Sequence, residues 1–552
     1  MKHTYRKCTH LLAGVSALIV VSLVGCGVGE SNVVIGNREG ILHLGNASEP
    51  TGLDPHVVTT TDASRILGAL FEGLVTRNPW TLEPEPGVAE RWEISTDGLI
   101  YTFHINPKAV WSNGEPITAS DYVWTWKRAL HPKTGNRNAY LLYVIDNAEA
   151  FATGAIDDFG EVGVKALEEA ILQVTLRGPT PHFLVQLMHH SSYALHPETI
   201  LKHGEMTDRF TQWTRPENFV GNGPFILEEW AMNRYIKVGK SPTYWDRDKV
   251  SLNGVVFYPI EDDNIEERMF RVDQLHRTFT LPLDKIPAYS TMPDTPFRTA
   301  PYLGSYFYVV NNLRAPTDDV RVRKALALAV DREKIARTIM YDSVIPAYGV
   351  VPPFIPHYTP PAPFAFNPER ARELLAEAGY PDGEGWPGLE ITYNTSEAHR
   401  KIAIAIQQMW KKNLGVEITL ANQEWKVYVE TVNQKDYQVA RMGWIGDVYP
   451  SSFLELFLTD GGNNDSGYSD PRFDDLLISK GGQSVTREER YRYMQQAEAL
   501  LMDAMPIIPI YSYTTRLLQH PSVEGMPLNV TQSINLKYAE LVPGRTLPDS
   551  IR

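Results

Sequence analysis

The spacing of apolar residues changes repeatedly along the chain between the period of a β-strand and the period of a helix. Apolar and polar positions alternate over residues 101–105 and again over 172–176, which predicts two half-buried strands. A short apolar run at 41–44 predicts the first strand. Strands and helices are mixed from end to end, with proline-rich breaks at 351–363. The pattern therefore indicates an α/β protein of several lobes.

Helices are predicted where an apolar periodicity coincides with end signals. One runs over 61–74, with Asp62 near its start. Thr118 and Asp121 form a capping box that opens a second helix, ending near Leu130. Pro368 and Gly379 bracket a third helix over 369–378.

A fourth helix begins at Asp319. It is predicted to turn its basic residues away from its apolar ones, Leu326 and Val330. Those basic residues are Arg321, Arg323 and Lys324.

The N-terminus carries an export pattern. Lys2, Arg6 and Lys7 precede an apolar stretch over 11–24, which is shorter than the roughly 18 to 20 residues of a bilayer-spanning helix. Leu23-Val24-Gly25-Cys26 resembles the lipobox of bacterial lipoproteins, which implies cleavage before Cys26 and acylation of that cysteine. An uncleaved anchor helix is the alternative. We expect a signal peptide at 1–25 and a flexible tether over 26–40, rich in Gly, Ser and Asn.

Charge and cysteine content narrow the class of protein. The formal net charge is −14 for 552 residues, and removal of the basic N-terminus would make it more negative, which argues against nucleic acid and anionic lipid as partners. Cys8 would leave with the signal, so Cys26 would be the sole cysteine of the exported chain. No internal disulfide is then possible, and a lone N-terminal cysteine indicates an attachment point.

Enzyme motifs are missing from the sequence. It contains no HExxH pair, no P-loop and no GxSxG elbow. His189, His190 and His196 cluster, but no carboxylate or cysteine stands at ligand spacing to complete a metal site. The acidic loop at 460–465 lacks the glutamate of a calcium loop and is predicted to be a plain turn. We expect no catalysis, no metal and no cofactor.

Several longer strings resemble one family, the extracellular solute-binding proteins (family 5) that serve peptide ABC importers. The resemblance extends from about residue 42 to 516. The matching strings are Pro86-Gly87-Val88-Ala89-Glu90-Arg91-Trp92, Trp111-Ser112-Asn113-Gly114, Gly221-Asn222-Gly223-Pro224-Phe225, Ser241-Pro242-Thr243-Tyr244-Trp245, Asp319-Val320-Arg321-Val322-Arg323-Lys324 and Leu374-Leu375-Ala376-Glu377-Ala378-Gly379-Tyr380. These strings correspond to structural parts of the family's fold and do not indicate which ligand is bound.

The resemblance implies an α/β fold of the two-lobed periplasmic-binding-protein type, with a hinge and an additional inserted domain. The expected first lobe is discontinuous (41–71, 196–300 and 516–552), the inserted domain is 72–195, and the second lobe, which makes the main ligand contacts, is 301–515. The ligand would be enclosed between the lobes.

Residues between 394 and 447 resemble the oligopeptide-binding subgroup in particular. In that subgroup the aspartate matched by Asp447 pairs with the free α-amino group of a peptide. A cation enclosed between lobes requires a carboxylate, because an unpaired buried charge costs several kcal/mol. A loop-capping role for Asp447 is the alternative.

The resemblance also implies which residues contact the other end of the peptide, its free carboxylate. Arg441 and His399 match residues that meet the carboxylate of short peptides, and an arginine fork suits a carboxylate. A structural ion pair of Arg441 with a nearby acid is the alternative. The remaining expected ligand residues are Asn394, Gly443, the pocket-lining Trp425, Trp444 and Tyr140, Thr59 and Thr61 along the ligand backbone, and Tyr513 at the rear of the cleft.

Two positions depart from the family pattern. A disulfide of some relatives is absent, because Gly304 and Ile445 occupy its places. Thr59 replaces a glutamate of the N-terminal ligand segment, so the side-chain preference is open.

The function implied is a monomeric lipoprotein of the periplasm or outer cell envelope. It would capture short extended peptides and deliver them to the permease and ATPase of an ABC transporter. The alternatives are a non-peptide solute, such as an oligosaccharide or metal chelate, and an envelope hydrolase.

Overall fold

The computed structural model describes residues 30–361, 364–459, 461–482, 484 and 486–551, apart from the side chains of Trp425 and Lys426. The predicted signal segment and Cys26 lie outside the described residues.

Strands and helices follow one another along the whole described chain. The strands are β1 (Ile41–Gly45), β2 (Val75–Arg77), β3 (Pro84–Pro86), β4 (Ala89–Ile94), β5 (Ile100–Ile105), β6 (Val164–Glu168), β7 (Ile171–Thr175), β8 (Phe225–Ala231), β9 (Tyr235–Lys240), β10 (Gly254–Tyr258), β11 (Phe297–Val310), β12 (Ile345–Pro346), β13 (Leu389–Asn394), β14 (Ile418–Gln423), β15 (Val439–Ile445), β16 (Ile507–Leu518), β17 (Val523–Glu524) and β18 (Glu540–Leu541). The helices are α1 (Asn32–Glu39), α2 (Thr61–Leu70), α3 (Ala119–Leu130), α4 (Ala148–Ala152), α5 (Phe183–Gln186), α6 (Pro197–His203), α7 (Asp263–Arg271), α8 (Ile286–Ser290), α9 (Val320–Leu328), α10 (Arg332–Thr338), α11 (Pro368–Glu377), α12 (Glu397–Leu414), α13 (Trp425–Asn433), α14 (Ser451–Leu454), α15 (Pro471–Asp474) and α16 (Arg487–Ala504).

Three larger sheets organise these elements. One has the strand order β1-β10-β9-β8, a second has the order β4-β5-β7-β6, and the third has six strands in the order β12-β16-β11-β15-β13-β14. The first two sheets share one hydrophobic core, whereas the six-stranded sheet packs in a core of its own. The two cores give the chain two lobes, and the first lobe of the structure includes residues 72–195 together with the rest of the shared core.

The long strands β11 and β16 run antiparallel and connect the lobes. Their register is regular from Phe297 to Pro301, shifts before Ser305, and shifts again between Tyr306 and Phe307 within the six-stranded sheet. Phe297 and Leu518, which pair at one end of this ladder, pack in a small third cluster with Leu547 and other residues near the C-terminus. The C-terminal segment therefore returns to the base of the two strands.

Most predicted elements are confirmed. The strands at 41–44, 101–105 and 172–176 form as β1, β5 and β7. The capping box of Thr118 and Asp121 opens α3 with both of its hydrogen bonds. Pro368 begins α11, and Asp319 caps α9 with its side chain.

The helix predicted over 61–74 ends early, at Leu70. Glu72 donates its backbone N–H to the Asn222 side chain at 3.0 Å, and its carbonyl accepts from the same amide at 2.9 Å. These two bonds replace helical ones, because they hold the chain extended on its way into β2.

Two smaller predictions are wrong. Residues 32–39 of the predicted flexible tether form α1, which Ser31 caps and which buries Val33. Arg323 does not face away from the core. It is buried and donates to the carbonyls of Ala504 and Thr317, so its charge is hydrogen-bonded inside the second lobe.

Candidate functional site

Strand β15 brings several of the predicted ligand residues onto one side of the six-stranded sheet. Arg441 pairs with Tyr308 and Gly443 with Tyr306 on the neighbouring β11. Because side chains alternate along a strand, Arg441 and Gly443 face the same way. Asp447 follows two residues after the strand ends.

Arg441 lies in a box of aromatic rings. Its guanidinium covers the Tyr306 ring at 4.6 Å from the centroid, and Nη2 donates to the Tyr513 hydroxyl at 2.8 Å. No carboxylate of the described residues forms an ion pair with it, and Nε has no partner among them. The structural ion pair considered as an alternative for Arg441 is thus not formed with any acid that the structure describes.

His399 belongs to the same cluster. Its Nδ1 lies 3.2 Å from the Tyr306 hydroxyl, and the ring stands in the first turn of α12. Burial, and then the positive charge of Arg441, lower the pKa of His399 to about 3. His399 is therefore neutral at physiological pH and offers a hydrogen bond without a charge.

Gly443 is required by the close approach of Tyr513. A Cβ at this position would lie 2.6 Å from the Tyr513 hydroxyl and 3.4 Å from Nη2 of Arg441. The glycine therefore makes room for the contact between the arginine and the tyrosine.

Asp447 makes a contact that the sequence does not indicate. Its two carboxylate oxygens accept from Nη1 and Nη2 of Arg77 at 2.9 and 2.8 Å, across 370 positions of sequence. The Arg77 side chain is 9% exposed and that of Asp447 is 31% exposed. Since Arg77 ends β2 in the first lobe, this two-point ion pair connects the lobes.

A cavity of about 260 Å³ opens beside this ion pair. Thr61, Arg65 and Tyr193 line it from the first lobe, and Gly446 and Asp447 line it from the second. Tyr302, at the start of the six-stranded sheet, also faces it and lies 6.4 Å from Tyr513 between ring centroids. The cavity at Asp447 and the aromatic box of Arg441 are therefore neighbouring parts of one site.

Glu72 is the second acid in the cavity wall, and its carboxylate is fully engaged. It accepts from the Tyr244 hydroxyl at 2.5 Å and from the Trp245 indole at 2.6 Å, and Lys537 lies at 4.0 Å. Burial raises the pKa of Glu72, while the nearby Lys537 charge opposes the change. Glu72 therefore stabilises the wall of the cavity in the first lobe through these contacts.

The histidines considered for a metal are held by separate partners. Nδ1 of His189 accepts the Ser191 N–H at 3.2 Å, and His190 bonds Val58 and Ser64. Nε2 of His196 lies 2.6 Å from Glu115. Within the described ranges no group of three His, Cys, Asp or Glu side chains is arranged to hold a metal ion. Burial lowers the pKa of His189 well below its usual value, so its neutral ring lines the cavity.

Further contacts hold the lobes together. The His182 ring of the first lobe stacks on Tyr449 at 4.4 Å, and Nη2 of Arg490 donates to the Pro179 carbonyl at 3.4 Å. With the Arg77–Asp447 pair, these contacts enclose the cavity between closed lobes.

The other predicted ligand residues occupy different positions. Trp444 donates its indole N–H to the Ser452 carbonyl at 2.7 Å and packs against the second core, not in the cavity wall. Tyr140 is 39% exposed and lies near Glu455 of the second lobe. Thr59 is exposed. Asn394 is the last residue of β13, and its Oδ1 has no hydrogen-bond partner among the described residues. The side chain of Trp425 lies outside the described part of the chain.

The two positions of the missing disulfide are direct neighbours. Gly304 of β11 and Ile445 of β15 are cross-strand partners. A Cβ on Gly304 would lie 2.5 Å from the Ile445 side chain, so this isoleucine fills the space that a second side chain would need.

Sequence reasoning missed Arg77, Arg65, Tyr302 and Tyr306. Arg77 ends an ordinary short strand, and its partner is 370 positions away, so no local pattern distinguishes it from a solvent-exposed arginine. The tyrosines could have been suspected from the aromatic richness of 302–308, but alternation alone does not distinguish a core ring from a site ring.

Comparisons with known proteins agree with this geometry. The model for bacterial extracellular solute-binding proteins, family 5 (middle), matches residues 83–465. The periplasmic oligopeptide-binding protein OppA of Salmonella typhimurium is 35% identical over 531 residues, which cover 93% of this chain and 95% of the relative.

Solved structures give the same result. The murein tripeptide binding protein MppA of Escherichia coli has a TM-score of 0.81 at 33% identity, covering 91% of this chain and 98% of that one. OppA of Haemophilus influenzae, in complex with the peptide RPPGFSPFR, has a TM-score of 0.81 at 31% identity, covering 91% and 99%. The predicted fold class, a two-lobed α/β binding protein, is confirmed.

The comparisons also settle the general class of activity, since the family and the relatives are substrate-binding proteins and not enzymes. None of the helices in the described parts of the chain has the length and apolar character needed to cross a bilayer. Because the family model matches well over half of the residues, the chain belongs to the bacterial extracellular solute-binding proteins of family 5.

Proposed function

We propose that this protein captures short peptides in extended form between its two lobes and delivers them to an ABC importer. The observation that most directly supports this proposal is a pair of opposite charges at the two ends of one segment. Arg441 on β15 and Asp447 just beyond it are six residues apart. Asp447 lines the cavity, and Arg441 bonds Tyr513, whose ring neighbours the cavity residue Tyr302. Extended backbone spans about 3.3 Å per residue, so Arg441 and Asp447 lie at most roughly 20 Å apart, a separation suited to the two charged ends of a short peptide.

Each end of the site matches one end of a peptide. Arg441 is buried without a carboxylate among its described neighbours, so a ligand carboxylate would complete its charge. Asp447 is part-exposed toward the cavity and would accept the α-ammonium. Between these ends, hydrogen bonds to the peptide main chain would provide affinity that does not depend on the peptide's side chains.

The lobes would act by hinge closure. The proposed first lobe consists of 41–71, 196–300 and 516–552, the inserted domain of 72–195 and the second lobe of 301–515. The register shift between Pro301 and Ser305 in the β11–β16 ladder supports a hinge at this boundary, because irregular pairing gives a place to bend. An affinity near the micromolar range, about −8 kcal/mol, would permit both capture and release.

The proposal includes export and anchoring. The signal pattern before Cys26 supports cleavage and acylation, which would hold a monomeric binding protein at the periplasmic or outer envelope surface, near its permease and ATPase. Growth of cells in labelled palmitate should label the wild-type chain and not a Cys26→Ala variant. Equal labelling of both would refute the anchor.

Calorimetry tests peptide binding. We expect a tripeptide to bind wild-type protein, and its N-acetylated form to bind at least about tenfold more weakly, since loss of a charged hydrogen bond costs about 1.5 to 3 kcal/mol. Asp447→Ala should remove the difference between the two peptides. Because this variant also leaves Arg77 unpaired, the ratio of the two affinities is the readout. Equal binding of both forms by wild-type protein would refute the ammonium assignment.

A further inference from the structure

The ion pair between Arg77 and Asp447 has a consequence for the side chain of a bound ligand, which rests on the proposed function. Both carboxylate oxygens of Asp447 are taken by the guanidinium, and Oδ1 also accepts the Val448 N–H at 2.7 Å. Oδ2 accepts only one of these bonds, so a ligand ammonium can approach its remaining lone pair, where it competes with Arg77 for the carboxylate charge and weakens or replaces that ion pair.

Arg77 cannot easily turn to water once it is displaced. Its side chain is 9% exposed, and the described residues give it no carboxylate other than Asp447. The cavity wall holds one other acid, Glu72, and that group is occupied by Tyr244 and Trp245. A buried guanidinium left without an anion is costly, so a ligand that also brings an anion is favoured over one that does not.

A second cation faces the same cavity. The guanidinium of Arg65 lies 4.2 Å from the centroid of the Phe279 ring, and Nη2 donates to Oε1 of Gln532 at 3.3 Å. No carboxylate among the described residues forms an ion pair with Arg65. Asp62 and Glu266 act on Arg65 only from beyond ion-pair distance. With Asp447 occupied by an ammonium, the wall thus has two cations without a carboxylate of the described residues in direct contact.

The rest of the wall suits a small polar group. Ser64, Thr76, Thr531 and Ser533 bring hydroxyl groups, and His189, whose Nδ1 accepts a backbone N–H, carries its proton on Nε2. The volume of about 260 Å³ is many times the roughly 10 to 15 Å³ that admits a single water, so the cavity has room for a carboxylate side chain.

We propose that this cavity receives an acidic side chain from the first residue of a bound peptide, and that Arg77 exchanges the Asp447 carboxylate for that of the ligand. The ammonium of the same residue takes Asp447. Arg77 is then the specificity-determining residue, and the preferred ligands are peptides that begin with glutamate or aspartate.

Calorimetry with three tripeptides tests this. Glu-Ala-Ala and Gln-Ala-Ala differ by one charge at nearly constant shape, and Lys-Ala-Ala reverses the charge. We expect wild-type protein to bind the glutamate peptide about tenfold or more tightly than the glutamine peptide, with the lysine peptide weakest. Arg77→Met should bring the glutamate and glutamine affinities within about twofold of each other, and Arg77→Lys, which retains the charge without the fork, should keep a reduced preference.

His182→Ala is the matched control, because it removes another contact between the lobes without altering charge in the cavity. It should keep the wild-type preference. Equal binding of the glutamate and glutamine peptides by wild-type protein overturns the inference and leaves peptide binding intact. An Arg77→Met variant that tightens all three peptides equally also overturns it, since Arg77 would then be only a competitor for Asp447. Failure of all three to bind wild-type protein would refute the proposed function itself.

Discussion

The Tyr513 hydroxyl lies 2.8 Å from Nη2 of Arg441 and fixes the plane of that guanidinium. The fork lies against the Tyr306 ring, 4.6 Å from its centroid. An arginine held in this way is pre-organised, so a carboxylate could be bound with little further loss of side-chain freedom.

Replacement of Arg441 by lysine should therefore weaken the binding of a free tripeptide by about 10- to 100-fold. Lysine keeps the charge but loses the planar fork and the stacking on Tyr306, and charge-assisted hydrogen bonds are worth about 1.5 to 3 kcal/mol. Calorimetry of the tripeptide and its C-terminal amide gives the comparison. The amide lacks the charge, so its affinity should change much less. An equal loss for both peptides would show that Arg441 does not meet the ligand carboxylate.

Gly443→Ala should reduce peptide affinity several-fold with little effect on the melting temperature. The new Cβ would lie 2.6 Å from the Tyr513 hydroxyl and would displace it from Arg441. The loss of one hydrogen bond of about 1 kcal/mol corresponds to roughly fivefold in affinity.

Two variants control this experiment. Gly462→Ala adds a methyl group where nothing lies within 4 Å and should bind as the wild type does. In a Tyr513→Phe background the crowded hydroxyl is gone, so Gly443→Ala should cost little more. Additive losses in the two variants would contradict the proposed crowding.

Elements with local signals were predictable from sequence, whereas partners across the cleft were not. The capping box at Thr118 determines where α3 begins, because both of its hydrogen bonds join residues three positions apart. The end of α2 depends on Asn222, which lies 150 positions from Glu72, and the helical pattern continued past the true end. Arg77 shows the same limit at the site, since its role follows from Asp447 in the other lobe.

Burial of a charge could not be judged from pattern either. The amphipathic spacing placed Arg323 with exposed Arg321, yet three backbone carbonyls accept from Arg323 inside the lobe. Family resemblance supplied Asp447, Arg441 and His399. In the structure Asp447 lines the cavity, and Arg441 and His399 both contact Tyr306. The resemblance gave no indication that Asp447 would form an ion pair with Arg77 of the same chain.

Arg128→Met should destabilise the first lobe by about 3 to 5 kcal/mol. Arg128 is fully buried and forms a two-point ion pair with Asp54 at 2.6 and 3.0 Å, so the substitution leaves a buried carboxylate without its cation. Urea unfolding followed by tryptophan fluorescence measures the loss. Arg177→Met, which breaks an exposed pair with Glu149, should cost less than about 1 kcal/mol. Similar losses in both variants would contradict the importance of burial.

Glu498 should make the second lobe less stable as the pH rises from about 4.5 to about 7. The side chain on α16 is completely buried, and burial raises its pKa to about 7, while hydrogen bonds from Tyr358, Val350 and Val351 oppose the change. A raised folded-state pKa means that the folded protein holds the proton more tightly than the unfolded chain. The associated stability is present below about pH 4.5 and is lost as the pH passes through 7, by up to roughly 3 kcal/mol.

Glu498→Gln cannot ionise, so its melting temperature relative to the wild type should increase between pH 5 and pH 8. Glu266, whose pKa burial also raises to about 7, lies in the other lobe and remains in the variant, so the overall pH slope should flatten without disappearing. Calorimetric melting at several pH values measures both transitions. Glu488→Gln, on the exposed first turn of the same helix, should follow the wild type. A melting-temperature difference for Glu498→Gln that stays constant with pH would show that this carboxyl group ionises alike in the folded and unfolded chains.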